Sequence, residues 1–315
     1  MQTPLKDKLG IVITVGNQKG GVGKSTAAVH LAAGLGERGF LVCLIDLDPT
    51  AGASTHLGVA PGTCGGILEL LTSRESVLST VVRDHMPPNV HLVASRKEMS
   101  DIDSRIAQAL PGGKFLDRGA IMDRVLTECR REYDFTILDT PPNSFASQTI
   151  AAYCRSDWLI IATMAEYLAK SGTVEAIKDL SEVREACNSP IQLLGIVMTR
   201  VNHASTLWAE IVEELRTKGW DRYVFDNRLR QASRSIQRAV KQGKSVLQVK
   251  LSDERERQIV EDIRGWVNEV VLRLRWREQF LRFARHEADD FPPILEPVVV
   301  GSSQPAPVEQ EVSHV

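Results

Sequence analysis

Lysines and aspartates in three short segments carry the chemistry in this 315-residue sequence. Lys19 and Lys24 stand in Lys19-Gly20-Gly21-Val22-Gly23-Lys24-Ser25-Thr26. Asp46 and Asp48 belong to Asp46-Leu47-Asp48-Pro49, and Asp139 to Leu138-Asp139-Thr140-Pro141-Pro142. The glycines of the first segment let consecutive backbone N–H groups turn inward, and a helix starting behind them adds partial positive charge. That combination is a phosphate cradle, in which Lys24 would reach the β- and γ-phosphates of a nucleotide and the Ser25 hydroxyl would ligate Mg²⁺. Asn17 or Gln18 takes the place of the usual first glycine, so the loop is a variant P-loop. Asp46 and Asp48, at i and i+2, aim to one side of an extended chain. One can hold Mg²⁺ through water while the other orients an attacking water. Asp139 closes an apolar run, where a strand-end carboxylate can hold the water shell of the metal. The chemistry of such a set is phosphoryl transfer to water, with Lys24 neutralising charge and one of the two aspartates orienting the nucleophile.

These residues need strands and helices to place them. The β-branched run 11–15 predicts a buried strand before the cradle, and Ala27-Ala28-Val29-His30-Leu31 opens the helix after it. That helix should end near Arg38, with Gly39 as its cap. Further strands are expected at 41–46, 89–95, 133–139, 158–163 and 191–202. Residues 66–73 can form a short helix. Apolar spacing through Leu116, Ile121, Val125 and Leu126 predicts another over 117–131. Residues 171–187 read as a helix, and 253 to about 285 as one long helix or two. Loops are expected at 58–64 and 96–114. At least six strands alternating with helices imply an α/β fold with a doubly wound, mostly parallel sheet flanked by helices. Such a sheet binds its ligand at the C-terminal ends of the strands.

Composition narrows the class. A hydrophobic content of 43%, a charged content of 25% and a formal net charge of −2 suit an ordinary globular chain and give no global attraction to nucleic acid or membrane. No apolar run reaches the roughly 18 residues of a membrane span, and no signal peptide is expected at the start. The five cysteines, Cys43, Cys64, Cys129, Cys154 and Cys187, lack metal-site spacing and fit reduced thiols in cytosol.

Lys19 adds a second lysine that an ordinary P-loop does not need. Here the sequence resembles the ParA/MinD family of deviant Walker A ATPases, over about residues 9–250, and most of all its short ParA/Soj-like partition members. KGGVGKST matches the family's K-G-G-x-G-K-[ST], DLDPTAGAS its D-x-D-P-Q-G-x-x-[ST], and DTPP its D-x-P-P. Thr50 and Ala51 depart from the usual Gln and Gly. The resemblance implies an ATP- and Mg²⁺-dependent ATPase that dimerises with ATP. It assigns catalysis to Lys19, Lys24 and Asp48, and nucleotide binding to Gly20, Gly21, Val22, Gly23, Lys24, Ser25 and Thr26. Thr199 and Arg200, in Thr199-Arg200-Val201-Asn202, would lie near the adenine, and Ser25, Asp46 and Asp139 at the metal. Lys19 would reach across the homodimer to the other subunit's nucleotide.

Between Arg228 and Lys250 basic residues recur with no acid among them: Arg228, Arg230, Arg234, Arg238, Lys241, Lys244 and Lys250. Arg230, Arg234, Arg238 and Lys241 are spaced to share one helical face. By itself this reads as a solvated basic face. ParA members bind DNA non-specifically through this part of the chain, and AVKQGKSV (239–246) resembles their A-x-x-x-G-x-x-V, so the first six of these residues are expected to bind DNA. The implied partners are a second copy of the chain, non-specific DNA and a ParB-like or cargo-adaptor activator, in a cytoplasmic, nucleoid-associated protein. The alternative is a MinD-like membrane-cycling regulator of division or flagellar placement. Residues 273–285, RLRWREQFLRFAR, could pack on the fold, meet a partner or touch a membrane. The acidic tail that follows disfavours a membrane. One ATPase domain is expected over 1–285, with a C-terminal helical part from about 253, and a disordered Pro-rich tail over 286–315.

Overall fold

The computed structural model describes residues 9–63, 66–72, 76–102, 104, 119–143, 146–164, 169–187, 189–202, 206–217 and 219–284. The strands are β1 (Ile11–Gly16), β2 (Val42–Asp46), β3 (Val90–Val93), β4 (Phe135–Asp139), β5 (Trp158–Met164) and β6 (Gln192–Thr199). The α-helices are α1 (Lys24–Glu37), α2 (Gly52–His56), α3 (Ile67–Thr72), α4 (Val77–Thr80), α5 (Asp123–Glu132), α6 (Ser147–Arg155), α7 (Ala169–Cys187), α8 (Leu207–Thr217), α9 (Ser233–Lys241) and α10 (Glu254–Ala284). Contacts divide the chain into two units, Met1–Trp276 and Arg277–Val315. The predicted tail, 286–315, and the end of the predicted loop, 105–114, lie outside the described residues.

The strands form one sheet in the order β3-β2-β4-β1-β5-β6, with every pairing parallel. Parallel pairing requires crossovers, and helices on both faces supply the cover that a near-continuously apolar strand needs. Alternate strand residues serve two cores. Ile13, Val15, Leu44, Ile137 and Ile160 pack with α1 and with Trp266, Val267 and Val270 of α10. Val12, Cys43, Leu138, Leu159 and Ile161 pack with α5, α6 and α7. On the first face α10 comes so close to α1 that a methyl on Gly34 would lie 2.7 Å from Val267.

The C-terminal third differs from the sequence reading in two ways. Arg230 is not on the basic helix, which starts only at Ser233; Arg230 instead forms a β-bridge with Val201. The basic run is not free of carboxylates either, because α10 returns past it. Arg230 pairs with Asp262 at 2.5 Å, and Arg238 with Glu256 at 2.8 Å. The Arg228 guanidinium stacks over the Trp208 ring at 3.7 Å. These arginines tie α9 and its approach to α8 and α10. In α9 itself Arg234 and Lys241 are exposed, seven residues apart and so on one face.

Arg273 is also turned inward. Its guanidinium donates to the carbonyls of Leu194, Tyr223 and Val224 at 3.2, 2.9 and 2.8 Å, pairs with Glu269 at 2.8 Å and lies over Phe225. A bare Cα at Gly195 leaves room for it, since a methyl there would sit 2.7 Å from the guanidinium. Removing a half-buried cation with this many acceptors leaves them unpaired. Arg273→Ala should therefore cost about 2–4 kcal/mol in urea unfolding, while Arg275→Ala, at an exposed position, should stay within about 0.5 kcal/mol. Equal effects would contradict the inward role.

Candidate functional site

The cradle leaves the C-terminal end of β1 at a central position of the sheet, where the crossovers on its two sides diverge. Asn17 shapes its start. Buried there, it donates through Nδ2 to the Ala162 carbonyl at 2.7 Å and accepts the Lys19 N–H on Oδ1 at 2.9 Å. Asn17, at the start of the loop, thus anchors it to β5. Gly23, at φ +86°, turns the chain into α1 in a conformation that a side chain would strain. Lys24 is buried and donates to the Lys19 carbonyl at 3.1 Å, closing the loop on itself.

Register delivers the acids. Asp46 and Asp139 are direct partners in the pairing of β2 with β4, and Asp139 is also paired with Val15 of β1. Both carboxyl groups are fully buried. Their surroundings differ. Asp46 accepts the Asp48 N–H at 3.1 Å and both the N–H and hydroxyl of Ser54 at 2.8 Å. Burial still raises its pKa to about 6, against those hydrogen bonds and with some help from the Asp48 charge. No described residue gives either oxygen of Asp139 a hydrogen bond of ordinary geometry. Burial, then the neighbouring Asp46, push its pKa well up, and the Ser25 hydroxyl and Lys24 offset only part of this. Asp48 is nearly buried and accepts the Thr50 N–H at 2.9 Å. Burial lowers the pKa of Lys24, while Asp139 and Asp48 oppose the shift.

The structure thus brings Lys24, Ser25, Asp46, Asp48 and Asp139 to one place. Pro142 of the DTPP segment closes on the cradle as well, within 3.8 Å of a methyl built on Gly20. Thr199 arrives from β6, but its hydroxyl donates to the Val22 carbonyl at 2.6 Å and lies 3.1 Å from the Thr163 carbonyl, so it braces the loop from behind. Arg200 is exposed, with φ +51°.

Three features of the site escaped sequence reasoning. Ser54 holds Asp46 and is itself held by the Ser95 N–H at 3.0 Å. Gly52 allows α2 to approach Ser25, whose hydroxyl would lie 2.6 Å from a methyl there. His30 and His56, both buried, meet edge to face behind the cradle. The D-x-D-P segment was the available signal for the first two. Ala51 adopts φ +53°, a left-handed conformation that glycine takes without strain.

A buried carboxylate with two unsatisfied oxygens beside a serine hydroxyl and a buried lysine fits a magnesium–nucleotide ligand. Ser25 and the two strand-end aspartates would hold the metal's shell, and the cradle with Lys24 the phosphates. Bound there, the metal neutralises phosphate charge.

Parallel sheet, cradle and paired acids define a P-loop nucleoside triphosphatase. A family model described as an AAA domain matches residues 10–193. The chromosome-partitioning ATPase Soj of Thermus thermophilus is 32% identical over 65% of this chain and 75% of its own length. The chromosome partitioning protein ParA of Myxococcus xanthus is 30% identical over 66% of this chain and 71% of its own. Cobyrinic acid a,c-diamide synthase from Mycobacterium smegmatis, solved with ADP and magnesium, shares the fold at a TM-score of 0.63 and 24% identity, over 74% of this chain and 92% of that one. The chain belongs to the ParA/Soj-like family of P-loop ATPases. It is an ATPase that uses ATP and Mg²⁺.

Keeping Asp139 ready for a cation has a stability cost without one. Its folded pKa lies above the unfolded value of 3.8, so its ionisation opposes folding at high pH and not below that value. Asp139→Asn should stabilise the nucleotide-free protein by roughly 1–3 kcal/mol at about pH 8, less at about pH 5.5, and weaken Mg²⁺-dependent ATP binding. Thermal unfolding at both pH values checks this. A variant destabilised at both would contradict the burial argument.

Proposed function

We propose that this ATPase is a DNA-positioning switch. ATP closes a homodimer, the dimer binds non-specific DNA, and a ParB-like or cargo-adaptor protein stimulates hydrolysis and so releases it. The cargo is DNA or another large assembly, and the site of action the nucleoid in the cytoplasm. Residues 1–285 would act as one ATPase domain. The observation that carries this reading is Lys19, a second lysine on the rim of the cradle, its backbone fixed at both ends by Asn17 and Lys24. A cation in that position can reach a nucleotide outside its own cradle. The names of the Soj and ParA relatives, both chromosome-partitioning proteins, support the choice of cargo.

In this reading Lys24 and the N–H groups of Gly20 to Thr26 bind the phosphates, Ser25, Asp46 and Asp139 hold the metal, and Asp48 orients the attacking water. Thr199 supports the loop, and Arg200 is left for the base. Among the six basic residues, Arg228, Arg230 and Arg238 serve the fold, which leaves Arg234, Lys241 and Lys244 for DNA. The inward turn of Arg273 takes one cation from the stretch that a MinD-like membrane role would use.

Asp48→Ala should preserve ATP binding, slow turnover at least about tenfold and accumulate the ATP-bound dimer in size-exclusion chromatography. Normal turnover would rule out the assigned role.

Three cations per subunit, six per dimer, give a log–log salt dependence of DNA affinity with slope about −5. Arg234→Glu with Lys241→Glu should lower affinity for arbitrary duplex DNA at least about tenfold, at unchanged ATPase rate and dimerisation. Gel shifts across salt and nucleotide measure this. Wild-type affinity in the double variant would remove α9 as the DNA surface.

A further inference from the structure

Two cysteines away from the nucleotide site are brought into contact. Cys154 lies one residue before the end of α6 and Cys187 ends α7. Their sulfurs are 2.6 Å apart, and both side chains are buried. The backbone around them is fixed. The Ser189 hydroxyl, two residues beyond Cys187, donates to the carbonyl of Tyr153 at 2.7 Å and receives the Ile191 N–H at 3.3 Å. On the far side, a methyl on Gly119 would lie 2.8 Å from the Cys154 β-carbon. The two sulfurs are thus held together by contacts on each side of the pair.

We propose that Cys154 and Cys187 are a redox-modification site, closed to a reversible disulfide by a peroxide, which joins the ends of α6 and α7. Cys187 reacts first, because it is the terminal residue of its helix, where fraying begins, whereas Cys154 is one residue further in. The Cys187 thiolate attacks the peroxide, the O–O bond breaks and Cys187 becomes a sulfenic acid. The Cys154 sulfur then attacks the Cys187 sulfur. The S–S bond forms, the S–O bond breaks, and hydroxide leaves as water with the Cys154 proton. Two thiols lose two electrons and two protons, and hydrogen peroxide is reduced to two waters. Burial is the main cause that raises the Cys154 pKa, so closure is slow at neutral pH and quickens as pH rises. Cys43 and Cys129 are also neighbours, but Cys43 lies in β2, paired on both sides by β3 and β4.

The bridge would act on the helix that supports the cradle. α7 carries Asp179, which accepts the Gln18 side-chain N–H at 2.5 Å, and Thr173, bonded to Thr163 of β5 at 2.9 Å. A disulfide at its end tethers that support.

The test treats the folded full-length protein with hydrogen peroxide, alkylates it after unfolding and maps peptides by mass spectrometry. The expected product is a Cys154–Cys187 cross-linked peptide about 2 Da lighter than its two thiols, restored by dithiothreitol. The melting temperature should rise by roughly 5 °C on oxidation and return on reduction. Cys187→Ser should abolish both effects and Cys43→Ser neither; Cys154→Ala serves if Cys187→Ser does not fold. Absence of the cross-link from the native protein, or a sulfinic acid at Cys187 with Cys154 still reduced, would overturn the proposal.

Discussion

Two carboxylates buried side by side, Asp46 and Asp139, are the constraint around which this protein is built. Neighbouring strand ends place them in register at the mouth of the sheet. Burial raises the pKa of both. Asp46 is supported by Ser54 and the backbone, whereas Asp139 has no such support from the described residues. Lys24 faces the group. The arrangement is short of positive charge, which a divalent cation bound there would supply. The same imbalance that destabilises the empty site makes the loaded one strong, a common trade at functional sites.

Much of the remaining structure holds this geometry. The Leu47 N–H donates to the Asp139 carbonyl, and the Thr140 hydroxyl to the Val15 carbonyl, so the exits of β2, β4 and β1 are stitched together. Asn17 and Thr199 fix the cradle to β5 and β6. α2, which presents Ser54 to Asp46, also meets the end of α9. A methyl on Gly58 would lie 3.0 Å from the Gly243 Cα, and the Val246 N–H reaches His30 Nε2 at 3.3 Å. The element that touches the metal-side carboxylate therefore also touches the basic helix.

What could be read from the sequence was local. A β-branched run followed by glycines and a lysine specifies strand, loop and helix within 30 residues, and the acids at strand ends follow from the same logic. The six strands, the helix after the cradle and its Gly39 cap, at φ +84°, match that reading. What could not be read was long-range. Whether Arg230 is a free cation depends on Asp262, 32 residues away on α10, and no periodicity in 228–250 encodes that partner. Arg273 opens a stretch whose sequence left packing, a partner and a membrane all open, yet three carbonyls and Phe225 receive it. Ser54 and Gly52 were invisible for a related reason. Their importance lies in a contact with a residue from another segment, not in their own type.

The most direct test of the central claim is equilibrium binding of a fluorescent ATP analogue, with and without Mg²⁺, to the wild type and to Lys24→Ala. The wild type should bind substantially more tightly with Mg²⁺, by at least about tenfold, because the buried acids repel an uncompensated triphosphate. Lys24→Ala should lose most of its affinity under both conditions. Binding indifferent to Mg²⁺, or unchanged in Lys24→Ala, would contradict a site built on buried carboxylates facing Lys24.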